Sequence, residues 1–244
     1  MKALCDAMMD ALGMQEYPVL FRYVDDLPKD TLLPPEGART CLFALLARTR
    51  KEGRPVALSA AHHGCAGAGY YLGFLATPRE GIGEFLSCGI PGKMEGERYL
   101  KTPALARTRI AQAPVRPAAG RYGLFTRADG PPYGETPQTV VFFATPDQLA
   151  GLHMLAGFDR DDDAVAAPFS SGCGAIVTLP LAEGARPQPR AILGLFDPSA
   201  RPFVEARLLT FAVPYAMFER MAGNVAESFL TGRTWGAIRK RIKG

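Results

Sequence analysis

Apolar residues recur at helical spacing in several parts of the chain. Between residues 38 and 51, Leu42, Leu45 and Leu46 share one face of a predicted helix that ends at Gly53. Pro214 opens another predicted helix, whose apolar stripe consists of Met217, Phe218, Met221, Val225 and Phe229. The same reading predicts helices at 1–13, 95–111 and 145–157, a short one within 78–92, and a basic one after Trp235.

Other apolar runs are short and rich in β-branched and aromatic residues, which predicts strands. They lie at 17–24, 54–60, 122–126, 139–144, 164–169, 190–196 and 208–213. After 139–144, Thr145 and Gln148 form a capping box around Pro146, a strong helix start. Because strands alternate with helices, we expect an α/β or α+β fold, a mixed β-sheet with helices packed on its faces. We expect residues 1–244 to form a single domain.

Composition and charge argue against a nucleic-acid-binding, membrane or secreted protein. The 244 residues are 48% hydrophobic and 21% charged with a net charge of +4, an ordinary globular balance that gives no indication of nucleic-acid binding. Apolar runs are broken by Arg, Gly or Pro before they could cross a membrane, and the N-terminus reads as an amphipathic helix rather than a signal peptide. We therefore expect a cytoplasmic protein whose five cysteines are thiols or metal ligands rather than disulfides.

Two turns carry the most promising chemistry. Residues 59–67 and 168–174 each follow a strand and place a cysteine, Cys65 or Cys173, among glycines where a helix can begin. A thiol at a helix N-terminus has a lowered pKa, which favours the thiolate that attacks electrophiles or binds metals. Gly64 and Gly172 precede these cysteines and let a ligand approach the backbone. The alternative is that both cysteines are small buried core residues.

The remaining three cysteines are not equally good candidates for a functional site. Cys41, near the start of the helix at 38–51, is a candidate third ligand or a core residue. Cys88 lies in a loop and Cys5 lies beside acidic residues in the first helix, so both are weaker candidates. The sequence contains no CxxC pair, zinc spacing, P-loop, G-x-S-x-G, Rossmann or H-E-x-x-H motif. A site would therefore have to be assembled from distant segments.

Three other residues could serve such a site. His62 and His63 are adjacent, so at most one is expected to face the Cys65 turn, where it could act as a base. Arg201 follows a strand in the sequence DPSAR, and sheet enzymes often bind ligands at strand ends. We therefore expect its guanidinium to face the same cavity as the two turns and to bind an anion, unless it only stabilises a local turn.

Long stretches of the chain resemble one family. They are ARTCLFALLARTRKEG, HHGCAGAGYYLGF, GERYLKTP, VVFFATPDQLAGLHMLA, PFSSGCGAIVTLPL, AILGLFDPSARPFV and LTFAVPYAMFERMAGNVAESFLTGRTW, roughly from Ala38 onward. They look like the DUF169 family, also labelled ArCR. The resemblance implies no particular reaction, but it matches Cys41, Cys65 and Cys173 to the family's cysteines.

Three functions are therefore open. In the first, Cys41, Cys65 and Cys173 hold an iron–sulfur cluster or a metal ion, leaving a coordination position open. In the second, the two turns and Arg201 bind a small anionic molecule without catalysis. In the third, Cys65 or Cys173 is a nucleophile with His62 or His63 as its base.

Overall fold

The computed structural model describes residues 1–134 and 136–243. Its strands are β1 (Val19–Val24), β2 (Val56–Leu58), β3 (Tyr122–Arg127), β4 (Thr139–Ala144), β5 (Val165–Ala166), β6 (Ala191–Gly194) and β7 (Leu209–Pro214). Its α-helices are α1 (Lys2–Leu12), α2 (Leu42–Glu52), α3 (Ala66–Tyr71), α4 (Ile82–Phe85), α5 (Pro103–Ala111), α6 (Pro146–Ala156), α7 (Leu179–Glu183), α8 (Tyr215–Gly223) and α9 (Arg233–Lys243). A π-helical segment, Gly174–Thr178, runs directly into α7, and short 3₁₀ turns occur at Arg201–Phe203 and Phe229–Thr231.

The described strands form one mixed sheet in the order β2-β3-β1-β4-β7-β6-β5. Neighbouring strands are antiparallel except β5 and β6, which run parallel. In the centre of the sheet, Phe142 of β4 lies opposite Phe211 of β7. The predicted mixed sheet with helices on its faces is confirmed, in an α+β arrangement.

Each face of the sheet has its own hydrophobic core. Strand β4 is buried throughout, and its successive side chains point to opposite faces. Phe142 belongs to the core formed with α1, α6, α8 and α9, where the Trp235 indole N–H donates to the Ala11 carbonyl at 2.7 Å. Phe143 belongs to the second core, beneath α2, α3 and the π-helical segment. The candidate cysteines Cys41, Cys65 and Cys173 all lie with this second core.

Several predicted elements are shorter in the structure. The helix predicted from Pro214 ends at Gly223, so Val225 and Phe229 of its predicted stripe lie beyond it. Two other elements change at or near a proline. The helix predicted at 95–111 begins only at Pro103, with the Thr102 hydroxyl accepting from the Leu105 N–H at 3.2 Å. Proline has no N–H and is tolerated in the first helical turn but not inside a helix. The strand predicted at 164–169 ends at Ala166, shortly before Pro168. By contrast, the predicted capping box before α6 is confirmed, because the Thr145 N–H donates to Gln148 Oε1 at 2.9 Å.

Residues 74–117, here called the cap segment, leave the sheet between α3 and β3 and return to it. The Ala118 N–H donates to the Gly73 carbonyl at 3.0 Å, so the two ends of the segment meet. Within it, α4 and α5 are joined by an ion pair of 2.8 Å between Glu84 and Arg107. The cap segment therefore has contacts of its own and lies over the second core as a unit.

Helix α2 is anchored by a buried arginine. The Arg50 side chain is only 2% exposed, and its guanidinium lies 4.2 Å from the centre of the Phe143 ring. It pairs with Glu16 at 2.7 Å and with Glu205 at 3.0 Å. Burial raises the pKa of Glu205, but hydrogen bonds from Lys51 and Arg50 and the Arg50 charge lower it overall to about 2. These contacts hold the helix that begins beside Cys41.

Within the described parts of the chain, none of the helices has both the length and the apolar character that crossing a bilayer requires.

Candidate functional site

A cavity of about 730 Å³ lies between the second core and the cap segment. Its wall includes Cys41, Cys65 and Cys173, which come from three separate segments. All three predicted cysteines therefore border one cavity, and their convergence as ligands of one cluster stays a prediction. Each cysteine also lies at the start of a helix, so three helix N-termini meet at this cavity.

Cys41 precedes α2 in extended conformation, with φ −65° and ψ 138°. Burial raises the pKa of its thiol, and the nearby backbone N–H groups of Phe43 and Ala44 lower it by less, so the pKa is raised overall. The Cys41 sulfur accepts no capping hydrogen bond from the first turn of α2. The thiol is therefore held at a helix start, where a negative charge is favoured, yet it stays protonated in the ligand-free protein.

Cys65 precedes α3, and its sulfur accepts a hydrogen bond from the Ala68 N–H at 3.4 Å. Gly64 positions this turn against the segment that carries Cys41. Its φ is +71°, its carbonyl accepts from the Thr40 N–H at 3.2 Å, and a Cβ at this position would lie 2.6 Å from the Thr40 oxygen. Only glycine fits such a backbone approach, so Gly64 brings the two cysteine segments together without itself bordering the cavity.

Cys173 lies in the first turn of the helical stretch that continues through the π-helical segment into α7. The Ser171 hydroxyl accepts from the Gly174 N–H at 3.1 Å, and Asp197 Oδ2 accepts from the Gly172 N–H at 3.3 Å. Burial raises the pKa of Cys173 well above its ordinary value, and negative charge on Cys65 or Cys41 would raise it further. The predicted fall in this pKa is therefore contradicted, because loss of water around the sulfur outweighs the helix dipole.

The donor groups do not form a ready-made ion site. Across residues 1–134 and 136–243, no three cysteine, histidine, aspartate or glutamate side chains are arranged so that they could hold a metal ion. A single-ion site at Cys41, Cys65 and Cys173 thus has no support from the donor geometry. An iron–sulfur cluster at these thiols stays a prediction.

Of the other predicted site residues, Gly172 borders the cavity, whereas His62, His63 and Arg201 do not. His62 Nδ1 contacts the Pro34 carbonyl at 3.0 Å, and His63 Nδ1 contacts the Cys65 carbonyl at 3.1 Å. Arg201 donates to the carbonyls of Leu208 and, at 2.6 Å, Ala206. None of the three borders the cavity, so the geometry does not bring a histidine base or the Arg201 guanidinium to it. The weaker candidates are also elsewhere: Cys5 is buried on the opposite face of the sheet and Cys88 is exposed.

Sequence reasoning missed most of the cavity wall. Aromatic side chains dominate it, namely those of Phe43, Tyr70, Tyr71, Phe85, Tyr99, Phe169 and Phe196. Burial raises the pKa of Tyr71 to about 12, so its hydroxyl stays neutral. Tyr70 and Tyr71 are visible in the apolar run after Cys65, but nothing local indicates that they face a cavity. Charge in the wall comes from Arg79 and Asp197, and Arg79 belongs to the cap segment.

Comparison with known proteins identifies the family of the chain. The family model of DUF169, described as uncharacterised ArCR, matches residues 7–224. The match begins earlier than the resemblance noted from Ala38 onward, and it includes the three cysteines of the cavity. No curated protein and no solved structure matches the chain. With most of its length matched by the family model, the chain belongs to the DUF169 family.

Proposed function

We propose that this protein holds an iron–sulfur cluster in the cavity, with Cys41, Cys65 and Cys173 as its ligands. The observation that carries the proposal is the meeting of these three thiols, from three distant segments, at one cavity. Thiolates are the usual ligands of iron–sulfur clusters. Cys5 and Cys88 do not border the cavity, so they serve as controls for the three cysteines that do.

The protonation state of the thiols makes cluster binding dependent on pH. Burial raises the pKa of Cys41 and of Cys173, so in the ligand-free protein these thiols are neutral. Iron binding replaces their protons, and the affinity for a cluster should therefore increase with pH. The three helix N-termini favour the negative charge that a thiolate-bound cluster brings.

Backbone donors near the sulfurs support the same function. The Ala68 N–H donates to the Cys65 sulfur at 3.4 Å, and the backbone N–H groups of Phe43 and Ala44 lie near Cys41. Hydrogen bonds to ligand sulfurs tune the reduction potential of a cluster. Three cysteine ligands are one fewer than the usual four, so one coordination position would stay open to a small molecule in the cavity.

The test is cluster reconstitution without oxygen. Metal-free parent protein is incubated with iron and sulfide, and bound iron, bound sulfide and visible absorption are measured after desalting. The variants Cys41→Ser, Cys65→Ser and Cys173→Ser should each lose most of the bound iron and colour. The matched controls Cys5→Ser and Cys88→Ser should keep both.

Folding is checked for every variant by circular dichroism, because Cys173 and Cys5 are both buried. A folded parent that binds no more iron and sulfide than the folded triple variant C41S/C65S/C173S would overturn the proposal. Equal loss in the site variants and in the controls would do the same.

A further inference from the structure

We propose that the same cavity takes an organic ligand with an apolar, ring-containing body and one anionic group, and that Arg79 receives the anion. This inference uses the cavity of the proposed function, but it does not depend on the cluster being bound.

The apolar part of the inference rests on the aromatic wall. Phe169 is 49% exposed and Phe196 is 53% exposed, although both border the cavity. Large apolar side chains left in water at a cavity are favourable contacts for an apolar ligand, because covering them removes their surface from water. Tyr70, Tyr99 and Phe85 add flat surfaces on which rings can stack.

The prediction of an anionic group on the ligand rests on the two charged side chains in the cavity wall, those of Asp197 and Arg79. The Asp197 carboxylate already has partners: Oδ1 accepts from the Ser199 N–H at 3.0 Å and hydroxyl at 2.7 Å, and Oδ2 accepts from the Gly172 N–H. The guanidinium of Arg79 lies 4.8 Å from the centre of the Phe85 ring. Within the described residues, no carboxylate forms an ion pair with it.

Arg79 also has the right chemistry for this role. A guanidinium donates two parallel hydrogen bonds to a carboxylate, phosphate or sulfonate, and its flat face rests on an aromatic ring. Apart from Arg79, no lysine or arginine of the described chain borders the cavity. Arg79 thus takes the place that sequence reasoning assigned to Arg201, whose guanidinium is bound to backbone carbonyls.

The test uses two fluorescent probes with the same body. 8-Anilinonaphthalene-1-sulfonate carries a sulfonate, and N-phenyl-1-naphthylamine lacks it. Each is titrated into metal-free, folded protein, and the dissociation constant is measured. We expect saturable binding of both probes by the parent. Arg79→Met should weaken the sulfonate probe about tenfold or more, because a hydrogen bond to a charged group is lost, and should change the uncharged probe less than about twofold.

Matched variants localise the effect. Arg79→Lys should weaken the sulfonate probe less than Arg79→Met, and Phe196→Ala should weaken both probes. Arg109→Met, which removes an exposed arginine of α5 outside the cavity wall, should change neither. Equal affinity of Arg79→Met and parent for the sulfonate probe would overturn the inference, as would absence of saturable binding.

The two proposals fail separately. The folded variant C41S/C65S/C173S cannot ligate a cluster, but it should still bind the sulfonate probe in an Arg79-dependent way. Cluster loading without probe binding would overturn only the ligand inference, and probe binding without cluster loading would overturn only the proposed function.

Discussion

Gly172 packs tightly against the Phe43 ring beside the site, and Gly172→Ala tests this contact. A Cβ at Gly172 would lie 2.4 Å from Cε2 and 3.0 Å from Cζ of the Phe43 ring, and 3.3 Å from the Ala200 Cβ. Ordinary carbon contacts are about 3.5–4.0 Å. The ring would therefore have to move by about 1 Å, but Phe43 is only 1% exposed and packs edge-on against Phe143.

The expected cost follows from overpacking of a buried site. Added methyl groups in well-packed cores cost about 1–3 kcal/mol. Alanine regains at most about 1 kcal/mol over glycine in a helix. We therefore expect Gly172→Ala to lower the free energy of unfolding by about 1–2 kcal/mol, which lowers the melting temperature of a chain of this length by about 2–8 °C.

Gly67→Ala is the matched control. Gly67 also borders the cavity and lies in α3, but the nearest atom to its added Cβ would be the Cys65 sulfur at 3.9 Å, an ordinary contact. This substitution should raise the free energy of unfolding by up to about 1 kcal/mol, since alanine favours the helix.

Urea unfolding followed by circular dichroism measures both effects. Phe43→Leu removes part of the ring, so in the double variant with Gly172→Ala the two losses should be less than additive. The reasoning is refuted if Gly172→Ala is as stable as the parent, if Gly67→Ala loses as much stability as Gly172→Ala, or if the double variant is fully additive.

Three further changes have outcomes that the structure predicts. Because the folded-state pKa of Glu205 is about 2 against an ordinary 4.5, its stabilising contribution is present above pH 4.5 and is lost as the pH falls towards 2. Glu205→Gln should therefore destabilise the protein to urea near neutral pH and have little effect near pH 2. In native protein, iodoacetamide should modify exposed Cys88 rapidly and Cys173 only on unfolding, as mass spectrometry of peptides can show, because burial raises the pKa of Cys173 and covers its sulfur. Gly151→Ala should shift the emission of the single tryptophan, Trp235, to longer wavelength, since the new Cβ would lie 2.5 Å from its ring.

Local residue patterns were sufficient for most of the secondary structure. The bounds predicted for the strand at 139–144 are those of β4, and the capping box at Thr145 is present. Both depend on residues within a few positions of one another. The helix predicted at 95–111 is wrong before Pro103, although the rule that proline begins a helix rather than lying inside it is equally local.

The sequence also indicates Cys65 and Cys173 by their glycine neighbours, and Cys41 by its position near a helix start. Their meeting at one cavity was a prediction that only tertiary packing decided, because the segments are far apart in the chain. Packing also decided the direction of the Cys173 pKa. The helix dipole can be read from sequence, but the loss of solvent that outweighs it depends on which elements cover the sulfur.

Which arginine lies at the cavity was likewise decided by the tertiary structure and not by the local sequence. The sequence predicts a ligand contact at Arg201 because it follows a strand, and ligands collect at the carboxyl ends of sheet strands. In this sheet β6 and β7 are antiparallel, and the turn between them folds back so that its own carbonyls bind the guanidinium. Arg79 reaches the cavity because the cap segment folds over it. That position is set by contacts between distant residues, which no local pattern of hydrophobic and polar residues encodes.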